Sequence, residues 1–183
     1  MTDTVTRPRI APGNRKDTGL IGWTICQVAG RANGTGPPHL LTTMARQRPL
    51  FRNWLRFASR LMPAGRLPRR ETELVILRVA HLRTCTYEFD SHVHLAAKAG
   101  VDDTSIRRVV DGPDAPGWSR REVAVLTAVD ELIEQGDLAD ETWEALRTCL
   151  TEREAIELVL LVGHYEMLAT FITTLRIQPD PHR

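Results

Sequence analysis

The sequence predicts an all-α protein, on three observations. Apolar residues recur at three- and four-residue steps, as in Leu50, Phe51, Trp54, Leu55, Ala58 and Leu61. Helix-start signals stand where such patterns begin: Ser119 with Glu122 and Thr151 with Glu154 have capping-box spacing, and Asp102 and Asp140 suit N-caps. No stretch alternates apolar and polar residues as a half-buried strand would.

Taken in order, residues 1–18 are polar, contain Pro8 and Pro12, and read as a flexible N-terminal tail. Residues 20–29 suit a short helix, and the Gly, Asn and Pro content of residues 30–38 marks a loop. The spacing predicts helices over 39–47 and 49–62, the second with Pro49 in its first turn. Pro63, Gly65 and Pro68 then break the chain before a helix over 69–82. A further helix follows almost at once, from about Thr84 to Ala99, with Gly100 placed to end it. Asp102 opens a short helix to Val110, and residues 111–118 form a Gly- and Pro-rich loop. The remaining helices run from Ser119 to Gln135, from Asp140 to Leu150 and from Thr151 to Leu175. The last is apolar all round, which marks a central helix. Gly163 within it costs about 1 kcal/mol of helix propensity, so another backbone approaching closely there is expected. No internal repeat stands out, and residues 19–183 read as a single domain.

Composition narrows the function. The 24 basic and 23 acidic residues nearly cancel, which argues against a nucleic-acid binder working through a strong positive field. Three cysteines, Cys26, Cys85 and Cys149, are an odd number without metal-type or redox spacing, so a reducing, cytoplasmic setting is expected. No uninterrupted apolar run reaches the ~20 residues of a membrane span, so no membrane association is expected.

One stretch stands apart. Cys85, Glu88 and His92 fall at steps of three and four, so a helix stacks them on one face. That face also carries Phe89, Leu95, Ala96 and Ala99, so three polar groups interrupt an apolar stripe. A carboxylate one turn from an imidazole stabilises its charged form or fixes its neutral tautomer, which is what a general base needs. Glu73 approaches the same point if the two short-linked helices pack as an antiparallel hairpin. Cys85 reads equally as a small core hydrophobe, Tyr87 as a helix-surface or interface residue, and His164 as a hydrogen-bonded core histidine. Phosphate-loop, dinucleotide and nucleophile-elbow motifs are missing, as are HExxH and Cys/His metal clusters.

The run from Glu73 through Cys85 and Glu88 to His92 resembles the carboxymuconolactone decarboxylase family, which includes the AhpD-like alkylhydroperoxidases. Redox members of that family carry a glutamate, then Cys-x-x-Cys, then a histidine four residues on. Glu73, Cys85 and His92 match the glutamate, first cysteine and histidine, while Glu88 stands where the second cysteine would be. The core of the likeness covers about residues 51–110, and the flanking sequence resembles an actinobacterial branch. The resemblance implies an AhpD-like helical bundle that assembles as a homo-oligomer, whether dimer, trimer or hexamer, without a cofactor. A two-thiol redox cycle lacks its second sulfur, so the expectation shifts to acid–base chemistry, a lyase or isomerase acting on a small organic acid or lactone. In that reading His92 carries the proton, Glu88 is its partner or a second acid, and Glu73 orients or relays. Tyr87 and His164 are expected in the substrate-binding wall. A thiol-dependent peroxide reductase using Cys85, in the manner of a peroxiredoxin, is the alternative, and a non-catalytic oligomeric binding protein is the third.

Overall fold

A computed structural model describes residues 7–32 and 34–180. Among them are nine helices and no strand, so the all-α expectation holds. They are α1 (Arg15–Ala32), α2 (His39–Met44), α3 (Arg48–Leu61), α4 (Arg69–Leu82), α5 (Thr86–Lys98), α6 (Asp103–Asp111), α7 (Arg120–Gln135), α8 (Asp140–Cys149) and α9 (Glu152–Leu175). The chain divides into two compact units where the sequence suggests one domain. The first takes the chain up to Ser59 together with the stretch from Phe171 on, and the second is Arg60–Thr170.

In the first unit the described part of the N-terminal stretch is more ordered than a loose tail. Asn14 accepts from Lys16 N–H, and Asp17 accepts from Asn14 N–H, so a reciprocal cap starts α1 at Arg15, ahead of the expected Leu20. Arg9 N–H donates to the Leu175 carbonyl and Gly13 N–H to that of Thr42. Gly19 interrupts α1 with φ +74°, a left-handed conformation that glycine adopts without a Cβ penalty. Phe51 is buried and stacks on Trp54.

The second unit holds the predicted site. Residues Thr72 to Ala80 of α4 are buried without a break, so this helix is enclosed on every side. It packs against α5, α6 and α7. Leu74 and Leu77 join Ala96, Val101, Val109 and Leu126 in a core flanked by Phe89, Val93, Ile106 and Trp118. Arg78 enters this interior with its charge met by Asp130, at 2.7 Å, and by the Val109 and Val110 carbonyls. Removing one partner from such a network leaves a buried charge, which is far more costly than the network's net worth.

Most helix ends fall where the sequence places them. Ser119 and Glu122 cap α7 reciprocally, Thr151 and Glu154 exchange the matching bonds before α9, and Asp102 accepts from Ser105 N–H. Gly100 follows α5 with φ +83°. The start of α8 differs: Ala139 holds the N-cap position and Asp140 is the first helical residue. Glu131 of α7 explains the shift, because its carboxylate accepts from both Ala139 N–H and the Thr142 hydroxyl.

One expectation for α9, at Gly163, is corrected. By length and composition this helix could cross a membrane, with a window of mean hydropathy 1.6. A search for uninterrupted apolar runs misses it because Glu157, Gly163, His164 and Glu166 divide the sequence. Half of that window is buried within the protein. Around Gly163 there is open space where a Cβ would sit, so no backbone of the described chain approaches it.

Candidate active site

The site is assembled by the turn between α4 and α5. Thr84 adopts φ +53°, a costly conformation for a β-branched residue. It lets Cys85 N–H return to the Ala80 carbonyl at 2.8 Å. The two helices then run back to back as a hairpin, in the expected manner. Cys85 is the N-cap of α5, and Glu88, His92 and Ala96 follow as its buried face.

The hairpin brings His92 to Glu73. His92 Nδ1 lies 2.8 Å from Glu73 Oε2, and Glu73 is fully buried. The second carboxylate oxygen, Oε1, is 2.6 Å from Arg69 Nη2 one turn earlier on α4. Arg69 compensates the charge of a carboxylate that has no contact with water. Because that carboxylate accepts, Nδ1 of a neutral His92 carries the hydrogen and Nε2 keeps its lone pair. The sequence suggested Glu88 as the histidine's partner; the structure gives that place to Glu73.

Glu88 has a different role in the geometry. It is 2% exposed, and neither carboxylate oxygen has a well-formed hydrogen bond. Burial pushes its pKa up to about 8, with the Cys85 thiol opposing only in part. Glu88 is therefore a neutral acid at pH 7, able to donate. Cys85 is itself pushed up to about 11, chiefly by burial and further by the Glu88 charge, against a lowering contribution from backbone hydrogen bonding. It stays a thiol under ordinary conditions, and a thiol is a poor nucleophile.

Tyr165 of α9 closes the cluster. Its ring meets His92 edge to face, with centroids 5.2 Å apart. Its hydroxyl faces the Met62 sulfur at 3.8 Å. Desolvation, Glu88 and Glu73 all raise its pKa while Arg69 opposes them, so the phenol is neutral and lies within the field of all three groups. His164 is buried beside it, with ring centroids 5.3 Å apart, and desolvation lowers its pKa to about 4. Of the predicted site residues, Glu73, Cys85, Glu88 and His92 come together, and His164 joins them through Tyr165. Tyr87 precedes Glu88 by one residue, about 100° around the helix, and is half-buried outside that face.

Sequence reasoning missed Arg69 and Tyr165. The Arg69–Glu73 pair has helical i, i+4 spacing and was detectable. Tyr165 follows His164 directly, but its approach to His92 depends on how α9 packs. Among the described residues no group of three His, Cys, Asp or Glu side chains is arranged to hold a metal ion.

Comparison with known proteins agrees with this architecture. Residues 48–131 match the model of the carboxymuconolactone decarboxylase family. Among solved structures, a peroxidase-related protein with an alkylhydroperoxidase AhpD core from Ralstonia eutropha JMP134 superposes with a TM-score of 0.79 at 16% identity, over 95% of this chain and 94% of that one. A peroxidase-related protein from Silicibacter sp. TM1040 gives 0.77 at 16%, over 96% and 95%. The debrominase Bmp8 gives 0.77 at 15%, over 98% and 94%. At these identities the likeness is one of fold. No match was found among curated proteins.

Proposed function

We propose that this protein is a cofactor-free acid–base enzyme, a lyase or isomerase acting on a small organic acid or lactone. The Glu73–His92 contact of 2.8 Å carries this reading. An imidazole held at Nδ1 by a buried carboxylate offers Nε2 as a base of fixed direction. A neutral Glu88 one turn away supplies the complementary acid.

The chemistry follows from those two groups. Nε2 of His92 removes a proton from a carbon next to a carbonyl, and the electron pair moves onto the carbonyl oxygen. The Glu88 O–H donates to that oxygen as charge develops, which spares the buried site a free oxyanion. Where the substrate carries a double bond next to that carbon, the proton returns from His92 to the γ-carbon of the resulting dienol while the O–H proton goes back to Glu88, which re-forms the carbonyl and completes a double-bond isomerisation. Glu73 stabilises the imidazolium in between, and Arg69 lies beside Glu73 as its ion-pair partner. Loss of CO2 from a β-oxo acid draws on the same acid, with Glu88 protonating the enolate oxygen left by the breaking C–C bond.

The thiol-dependent alternative is weakened by the state of Cys85, which is buried, protonated and paired with a carboxyl group in place of a second sulfur. The fold is nonetheless shared with the debrominase Bmp8, of which a cysteine-to-alanine variant is known in complex with 2,3,4-tribromopyrrole. That likeness supports a small-molecule site in either case. Exposed Leu20, Ile21 and Val28 on α1, and Ile156, Leu160 and Met167 on α9, support the homo-oligomer expected from the resemblance.

Deuterium wash-in tests the proposal. A panel of small lactone acids and β-oxo acids is incubated in D2O with the protein, and the C–H signals next to the carbonyl are followed by 1H NMR. At least one compound should exchange or decarboxylate with the wild type and not with His92→Asn. Turnover retained by His92→Asn and lost in Cys85→Ser would transfer the chemistry to the thiol. Ligand-dependent thermal protection without any exchange would favour the non-catalytic reading.

A further inference from the structure

Arg69 leaves half of its guanidinium unused. Nη2 meets Glu73. Nη1 is sealed from solvent without an acceptor, although the side chain as a whole is 38% exposed. An arginine fork matches a carboxylate with two parallel donors, and here one arm remains open. A second unmet group lies in the same neighbourhood, because both Glu88 oxygens are buried without a well-formed bond. Tyr165 joins these positions. Its hydroxyl feels Glu88, Glu73 and Arg69 together, and its ring packs on His92. Buried donors lacking acceptors are rare and costly in native proteins. Arg69 Nη1, Glu73 Oε1 and both Glu88 oxygens are all buried without a well-formed bond, and a molecule that brings an acceptor to Arg69 Nη1 and a polar group to Glu88 completes the bonding there.

Resting on the reading of this cluster as an active site, we propose that Arg69 Nη1 binds a carboxylate of the substrate and so selects small monocarboxylates over their neutral analogues. Glu73 faces Arg69 Nη2 at 2.6 Å and His92 Nδ1 at 2.8 Å, which offsets part of its charge toward such an anion. The Tyr165 hydroxyl faces the Met62 sulfur, so an aromatic ring and a thioether border the cluster. Arg69 would set specificity, with His92 and Glu88 left to the chemistry.

Benzoate and benzamide, alike in shape and different in charge, serve as probes. Binding is followed by titration of the folded protein, with the His92 imidazole resonances reporting where the probe sits. The wild type should bind benzoate at least about tenfold more tightly than benzamide and show shifted His92 resonances. Arg69→Lys keeps a cation for Glu73 but has no fork, and it should weaken benzoate about tenfold with benzamide unchanged. Equal binding of the two probes by the wild type overturns the role of Arg69 without using any variant. So does unchanged benzoate affinity in Arg69→Lys while the His92 resonances still move, and that result leaves the acid–base reading intact. If neither probe moves the His92 resonances, both this inference and the assignment of the site fall together.

Discussion

His92 turns its Nδ1 to Glu73 on the preceding helix, 2.8 Å away, and not to Glu88 one turn earlier on its own helix. The two glutamates are thereby separated in function. Glu73 lies between Arg69 and His92, whereas Glu88 is left without a counter-charge and retains its proton.

Substitution at these positions should separate them again. Glu73→Gln removes the charge that stabilises the imidazolium and sets an NH2 group in competition with the remaining acceptor oxygen, and His92→Asn removes the base. Each should lower the exchange rate of a responsive substrate by about 10²- to 10⁴-fold. Far-UV circular dichroism should show unchanged helix content for His92→Asn. An active Glu73→Gln enzyme with normal rates would remove the dyad from the mechanism.

Glu88 predicts a dependence of stability on pH. Its folded-state pKa of about 8 lies above the ordinary 4.5. Between those values the unfolded chain releases the proton and the folded one keeps it, so this group's contribution to stability falls as pH rises from about 4.5 to 8. Glu88→Gln cannot ionise and escapes this loss. Relative to wild type its Tm should rise with pH, by at least about 2–4 °C near pH 8, equivalent to ~1 kcal/mol in a chain of this size. A Tm difference constant from pH 5 to pH 8 would mean that Glu88 titrates normally.

His164 predicts the opposite limb. Burial depresses its pKa from 6.5 to about 4, so the unfolded chain takes up a proton first as pH falls. The resulting stability is present above pH 6.5 and is lost between about pH 6.5 and 4. His164→Gln should flatten this acid limb relative to wild type, as measured by urea unfolding at matched pH values. An unaltered slope would show that His164 takes up its proton alike in the folded and unfolded chain.

Cys85 should prove dispensable for proton transfer. Cys85→Ser should keep exchange activity within about threefold, because a hydroxyl preserves a weak donor beside Glu88, while costing stability as a buried polar replacement. Loss of activity in a folded Cys85→Ser protein would restore the thiol to the chemistry.

Much of this site was legible in the sequence because its residues obey helical arithmetic. Cys85, Glu88 and His92 lie on one face by spacing alone, and the short link after Leu82 implies the hairpin that delivers Glu73. The partner of His92 was not legible in the same way. Local spacing points to Glu88, and only the antiparallel register of α4 and α5 reveals Glu73. Tyr165 is likewise placed by tertiary packing. The start of α1 was obscured because Asn14 and Asp17 sit in a stretch whose prolines suggest a loose tail, and the start of α8 because Glu131 supplies the cap from another helix. Gly163 implies a close backbone neighbour, yet the described chain supplies none.

The 15N NMR spectrum of the His92 ring tests the central claim most directly. The account predicts that the neutral form of the ring has a protonated Nδ1 and a pyridine-like Nε2, a tautomer bias that weakens in Glu73→Gln and persists in Glu88→Gln. A neutral ring with Nε2 protonated, or one whose tautomer depends on Glu88 instead of Glu73, would contradict it.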